Sequence, residues 1–283
     1  MLTDHVGAVL GYTTNMSALS YLTLRSLGRA AFPLYVFLLV NGFMHTRDRR
    51  QYLTRLFLFA ALSQVPFSAA LTAENYEALV PGFEIGYDAD LAFFCAAAAV
   101  GLYCFLAGKN GEKIPAVFFA AFFLSRLYLK IDGFVVLDRK LNVIYTLACC
   151  VLLMNMAELL REKRRDAVSL SAIAASLGVC ADALRHSDYG VSAVPLVAAL
   201  YLTRSDKRLQ AAVTALWCLY KYPLTGNYLL FFGAVLSLLP ILLFTGREGK
   251  KSRLFYLVYP VHLTILSLVP IIGQLTGRGV GLS

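Results

Sequence analysis

Hydrophobic positions along this chain fall in long blocks separated by short polar stretches. The blocks centre on residues 1–12, 30–46, 52–71, 89–107, 114–130, 141–159, 167–184, 190–203, 209–223, 227–245 and 254–274. A helix needs about 20 apolar residues to cross the hydrocarbon core of a bilayer, and a helix satisfies its own backbone groups there. The pattern predicts an all-α, polytopic helical membrane protein with about 10–11 transmembrane helices in one bundle, a single domain over residues 1–283. Several blocks are short and predict tilted, broken or half-spans. The first is about two-thirds of a span: either its helix is short, or the native protein begins upstream of Met1. No internal repeat stands out, and Met1 leads into Asp4, His5 and an apolar run without the basic start of a cleavable signal.

Composition agrees. Of 283 residues 59% are hydrophobic and 15% charged, and the mean hydropathy is +0.66. Soluble domains carry about 25% charged residues. The net charge of +9 comes from basic clusters between apolar blocks: Arg47–Arg55, Lys109–Lys113, Arg161–Arg165, Arg204–Arg208 and Arg247–Arg253 hold 17 of the 26 basic residues. All follow even-numbered blocks. The positive-inside rule then predicts these loops on the cytoplasmic side, with the N-terminus cytoplasmic and the C-terminus outside. Thr72–Asp90, on the other side, has Glu74, Glu77, Glu84, Asp88 and Asp90 with no Lys or Arg, whereas Ile131–Lys140 is mixed. This placement reads the basic excess as topology rather than nucleic-acid binding.

Against this background the polar intruders stand out, because ionisable groups in or beside a span are costly and point to function. In GRAAFPLYVFLLVNGFMHTRDRR, Gly28–Arg50, Arg29 lies at one end of an apolar run, with Asn41 within it and His45 at the other end. His262 lies eight residues past Leu254, about 12 Å along a helix at ~1.5 Å per residue. Pro260, Tyr256 and Tyr259 make that segment a candidate cavity wall. Asp4 and His5 are neighbours that point about 100° apart on a helix and need not bond each other. His5, His45 and His262 are all expected in the cytoplasmic half, where histidine suits proton abstraction. Each also has a plainer reading, as a packed or interfacial side chain. Asp182, Arg185, His186 and Asp188 crowd one outer loop, as a solvated turn or a mouth for an acceptor. Arg47, Arg49 and Arg50 are topology signals that can also hold phosphates.

Cys95, Cys104, Cys149, Cys150, Cys180 and Cys218 lie in apolar blocks without C-x-x-C or zinc-ligand spacing. They are expected to be buried small residues, and no metal site is expected. P-loop, G-x-G-x-x-G, H-E-x-x-H and G-x-S-x-G motifs are absent.

Five blocks resemble the TraX family, integral membrane proteins named for the acetylase that modifies the N-terminus of F-type conjugative pilin. They are TDHVGAVL (Thr3–Leu10), the segment Gly28–Leu56, LSQVPF (Leu62–Phe67), SDYG (Ser187–Gly190) and FYLVYPVHL (Phe255–Leu263). The second and last are the most specific; residues 90–180 match only as apolar helices. The resemblance implies acetyl transfer from acetyl-CoA to an amine, and carries Asp4, His5, Arg29, His45, Asp188 and His262 as site residues. Two departures are that the chain starts close to Asp4-His5, and that the polar segment before the fourth span reads Asp88-Ala89-Asp90.

Residues and resemblance together predict an acyltransferase of the cytoplasmic (inner) membrane. It would pass acetyl from acetyl-CoA to an amine or hydroxyl of an envelope acceptor, such as a pilin N-terminus or a glycan. His262 or His45 is expected as base, and Asp4 as orienter of a histidine. Arg47, Arg49 and Arg50 are expected on the donor phosphates, and Arg29, Asp188 and Tyr189 on the acceptor side. The alternative is a small-molecule or lipid transporter or flippase, with helices broken at Pro66, Pro223 and Pro260.

Overall fold

The computed structural model describes residues 1–87, 121–162, 167–246 and 254–276. Helices dominate. They are α1 (Leu2–Thr13), α2 (Ala18–Arg29), α3 (Ala31–His45), α4 (Arg49–Leu71), α5 (Val143–Arg161), α6 (Ala167–His186), α7 (Ala193–Leu202), α8 (Lys207–Lys221), α9 (Tyr228–Val235), α10 (Leu238–Leu243) and α11 (Leu254–Leu275). Side-chain caps set several starts: Ser17 accepts from the Ser20 amide, Asp48 from Arg50 and Gln51, Asn142 from Ile144, and Asp206 from Arg208 and Leu209. Four stretches are long and apolar enough to cross a membrane: Ala18–His45, Arg49–Leu71, Val143–Arg161 and Leu257–Leu275. The protein is a multi-pass helical membrane protein.

α3 lies in the core. Phe32, Val36, Phe37, Leu39, Val40 and Phe43 are all buried, and the helix packs against α5 and α7. The two ends of the bundle differ in chemistry. At one end Glu158 of α5 lies 3.7 Å from both Arg49 and Arg161 and accepts from the Tyr201 hydroxyl. Arg49 also covers the Phe43 ring at 4.6 Å, and Arg204 covers Tyr201 at 4.7 Å. The described members of three predicted basic clusters therefore share an end; the other two clusters lie outside the described residues.

The opposite end carries a three-stranded antiparallel sheet in the order β1 (Phe83–Tyr87), β2 (Leu127–Ile131), β3 (Phe134–Leu137). Two polar clusters bind it to the helices. Asn75 donates to the Val135 carbonyl at 2.9 Å and accepts from the Val135 amide at 2.7 Å. Gln64 donates to the Lys140 carbonyl at 2.8 Å and accepts from Asn142 at 2.9 Å. Both residues are buried, where an unpaired amide would cost about 1–3 kcal/mol.

The sheet corrects the expected span at 114–130. Residues 121–124 are helical, but Leu127 begins a strand. Asp132 (φ 50°) and Gly133 (φ 82°) turn β2 into β3, with Ile131 opposite Phe134, which is the two-residue hairpin that Asp-Gly favours. The block at 227–245 divides into α9 and α10. A helix not expected, α2, precedes α3 with only Ala30 between them, and α1 folds back against it. α4 and α11 run on through Pro66 and Pro260, and Pro223 opens a short 3-10 turn, so the helix breaks invoked for a translocation path are not present at Pro66 or Pro260. The predicted span at 89–107 and Asp88, Asp90, Cys95 and Cys104 lie outside the described residues. Cys149, Cys150, Cys180 and Cys218 are free and buried, as expected.

The fold-back of α1 depends on Gly28. A Cβ there would lie 2.8 Å from the Asp4 amide nitrogen and 2.9 Å from its Cα, both backbone atoms. Gly28→Ala must push α1 off α2. Overpacking of this kind costs about 1–3 kcal/mol, so the variant is expected to unfold at lower denaturant in detergent micelles. Wild-type stability in Gly28→Ala would show that the close approach is not required.

Candidate active site

Neighbouring positions on α1 send Asp4 and His5 to different partners. His5 turns towards α11 and α4. Its Nδ1 lies 2.9 Å from His262 Nε2, and the two rings stack with centroids 5.1 Å apart. Tyr259 and Phe67 meet the His5 ring edge-on at 5.9 and 6.5 Å. His5 is 3% exposed. The hydrogen bonds assign the tautomers. His262 Nδ1 lies 2.8 Å from the Val258 carbonyl, which can only accept, so Nδ1 carries the proton. In the neutral pair His262 Nε2 then accepts from His5 Nδ1, which leaves the lone pair of His5 on Nε2.

Asp4 turns the other way, towards α2. Its carboxylate lies 3.1 Å from both Arg25 and Arg29, and Arg25 also donates to the Asp4 carbonyl at 3.1 Å. Arg29 continues to Tyr189, donating to its hydroxyl at 3.3 Å. Tyr189 is itself stacked on Phe32 with centroids 3.5 Å apart. Burial raises the Tyr189 pKa well above its ordinary value, so the phenol keeps its proton. Asp188 pairs instead with Lys140, at 3.5 Å.

A cavity of about 560 Å³ reaches His262, behind which His5 is buried. His262, Tyr259 and Val143 lie at one end and Tyr52 at the other, with Leu39, Leu56 and Leu147 between. Tyr52 is three residues from Arg49 in α4, so the cavity runs from the arginine-bearing end towards the histidines. Its size is in the range of small-molecule sites, about 300–1,000 Å³.

The structure thus joins Asp4, His5, Arg29, Tyr189 and His262 into one continuous cluster and leaves the other expected residues elsewhere. His45 ends α3, 14 residues beyond Ala31, or about 21 Å along the axis at ~1.5 Å per residue. It is exposed, with Nδ1 2.8 Å from the Asn41 carbonyl. The expected grouping of His45 with His5 and His262 is therefore corrected, and so is the separation of His5 from Arg29. α1 doubles back on α2, which brings Asp4 and His5 beside Gly28 and Arg29. Asp4 orients arginines, not a histidine. Arg49 is engaged by Glu158, whereas Arg47 is exposed and Arg50 half-buried. His186 lies 3.0 Å from Arg126 Nη1, and Arg126 also binds Asp182; the group tethers the start of β2 to α6. Sequence reasoning missed Arg25 and Phe67. Arg25 had a signal, since it precedes Arg29 by one helical turn.

A multi-pass helical membrane protein with a buried histidine bonded to a half-buried one, beside a buried carboxylate–arginine cluster, is the class these features define. The family model for TraX protein matches residues 1–86 and 91–270, and the chain belongs to the TraX family. It is also 32% identical over 95 residues to a probable fimbrial assembly protein FimC, serogroup H1, of Dichelobacter nodosus. That match covers 31% of this chain and 35% of the relative, so the chain spans about a third of that protein's length. No solved structure matches the chain.

Removing one partner of a buried ion pair costs about 3–5 kcal/mol, and an exposed pair is worth about 0–1 kcal/mol. The Arg29 side chain is 13% exposed, that of Lys140 54%. Denaturant unfolding in micelles should therefore show Asp4→Ala strongly destabilised and Lys140→Ala near wild type. Similar losses in both would contradict a buried role for Asp4.

Proposed function

We propose that this protein is a membrane acyltransferase that moves an acyl group, in the simplest case acetyl from acetyl-CoA, to an amine or hydroxyl of an envelope acceptor. The observation that carries the reading is His262, which lines a cavity that starts near the arginine-bearing end and is hydrogen-bonded to the buried His5 behind it. One buried histidine is easily structural; two that share a hydrogen bond beside a cavity form a base with a built-in orienter.

His5 Nε2 takes the proton of the acceptor amine or hydroxyl. The acceptor nitrogen or oxygen attacks the thioester carbonyl, the new bond to carbon forms, the C–S bond breaks, and the proton passes to the departing thiolate. His262 holds the His5 ring by its Nε2 lone pair and shares the charge while His5 is protonated. Arg47 and Arg50 sit where donor phosphates would meet cations. Arg29, Tyr189 and Asp188 lie on the side of the cluster facing the sheet end, which suits the acceptor. The fimbrial assembly protein among its relatives makes a pilus or fimbrial subunit a reasonable acceptor, with an envelope glycan as the other. The arginine-bearing end is assigned to the cytoplasm of an inner-membrane protein by the positive-inside rule.

Purified protein in nanodiscs is expected to bind acetyl-CoA saturably and hydrolyse it slowly. Arg47→Ala should weaken binding. His5→Ala should leave binding intact and lower hydrolysis by about 10²–10⁴-fold, the usual contribution of a general base. Absence of acetyl-CoA binding by the folded protein, or full hydrolysis by His5→Ala, would overturn the proposal.

A further inference from the structure

The cavity below the histidines has two properties that an acetyl group does not require. The first is its lining. Of the 14 residues around it, Tyr35, Tyr52, Tyr259 and His262 alone carry polar side-chain atoms. A polar ligand filling this space would leave amides or hydroxyls without partners, at a cost in free energy for each. The second is its position. Deep in the wall, Leu39 and Leu56 are 4% and 8% exposed, but at the mouth Leu38 is 51% and Val258 60% exposed. Both mouth residues belong to stretches apolar enough to span a membrane. The opening therefore faces the hydrocarbon of the bilayer rather than water.

We propose that this cavity takes the hydrocarbon chain of a medium- or long-chain acyl donor, which enters sideways between α3 and α11 and carries its thioester carbonyl to His5–His262. The inference rests on the acyltransferase reading and names its donor class. About 560 Å³ of apolar space accommodates a chain of many methylenes. Tyr35 and Tyr52 supply hydrogen bonds at points along a wall that is otherwise aliphatic or aromatic. The lateral mouth lets the far end of a chain remain in lipid, so chains longer than the cavity are accepted as well.

The test uses the full chain in phosphatidylcholine nanodiscs with acetyl-, decanoyl- and palmitoyl-CoA, and a palmitoyl-CoA bearing a diazirine in its chain. Turnover is expected to favour the two longer donors, and photolabel should map to Leu39, Leu56 or Ile144 inside the cavity. Partition into the bilayer alone raises the local concentration of any long chain. The deciding figure is therefore the ratio of palmitoyl to acetyl turnover in Leu38→Trp, which narrows the mouth without entering the core. That ratio should fall by about tenfold or more, as expected when a pocket loses room for its substrate. Turnover of acetyl-CoA with no gain for longer chains, an unchanged ratio, or label confined to outward positions such as Leu62 and Leu268 would overturn the inference and leave the acyltransferase reading standing. Label inside the cavity with no turnover of any donor would instead keep the chain site and discard the transferase.

Discussion

The ionic contact of Asp4 with Arg25 and Arg29 is the constraint on which the rest of the site depends. A carboxylate between two guanidiniums, in a setting with little water, cannot leave without stranding charge. It holds α1 against the middle of the long α2–α3 stretch, where the missing side chain of Gly28 lets the backbones close. With α1 fixed in height and rotation, His5, one residue on, has a single direction to face: across to α11, where the Val258 carbonyl has already set the tautomer of His262. These two ion pairs therefore position the His5 imidazole without touching it. The chain continues the same logic through Arg29 to Tyr189 and its stack on Phe32.

The molecule is polar in two different senses at its two ends. Arginines, Glu158 and Tyr201 gather at one end as partly exposed ion pairs and cation–π contacts. At the other end three buried amides, Gln64, Asn75 and Asn142, tie the helices to the sheet and to the loop that follows it, beside ion pairs such as Lys140–Asp188. The first kind suits a surface that meets a mobile anionic ligand. The second suits a rigid cover. The histidines lie between, with His262 on an apolar cavity; on the proposed function, a donor and an acceptor would approach the pair from opposite directions.

Much of this was legible in the sequence. Long apolar blocks gave the membrane class and most helix positions, because burial in lipid leaves no other composition open to a span. Asp4, His5, Arg29 and His262 were conspicuous for the same reason. Their partners were not. That His5 meets His262, 257 positions away, and that Asp4 serves arginines, follow from the doubling back of α1, which depends on packing at Gly28 rather than on hydropathy. His45 looked equivalent to the other histidines because it shares their chemistry, yet it lies a whole helix away. The hairpin at Asp132-Gly133 carried a clear turn signal that was masked by the apolar residues on either side, read as part of a span. Gln64 and Asn142 attracted no notice because buried amides carry no charge to betray them.

The most direct measurement on the central claim is a double-mutant cycle on acyl transfer, comparing wild type, His5→Ala, His262→Ala and the double variant in nanodiscs. If the two imidazoles act as one base with its orienter, the loss in the double variant is close to that of His5→Ala alone, as for residues that work as a unit. Losses that simply multiply would show two histidines acting independently, and the bonded pair would then be a feature of packing rather than of chemistry.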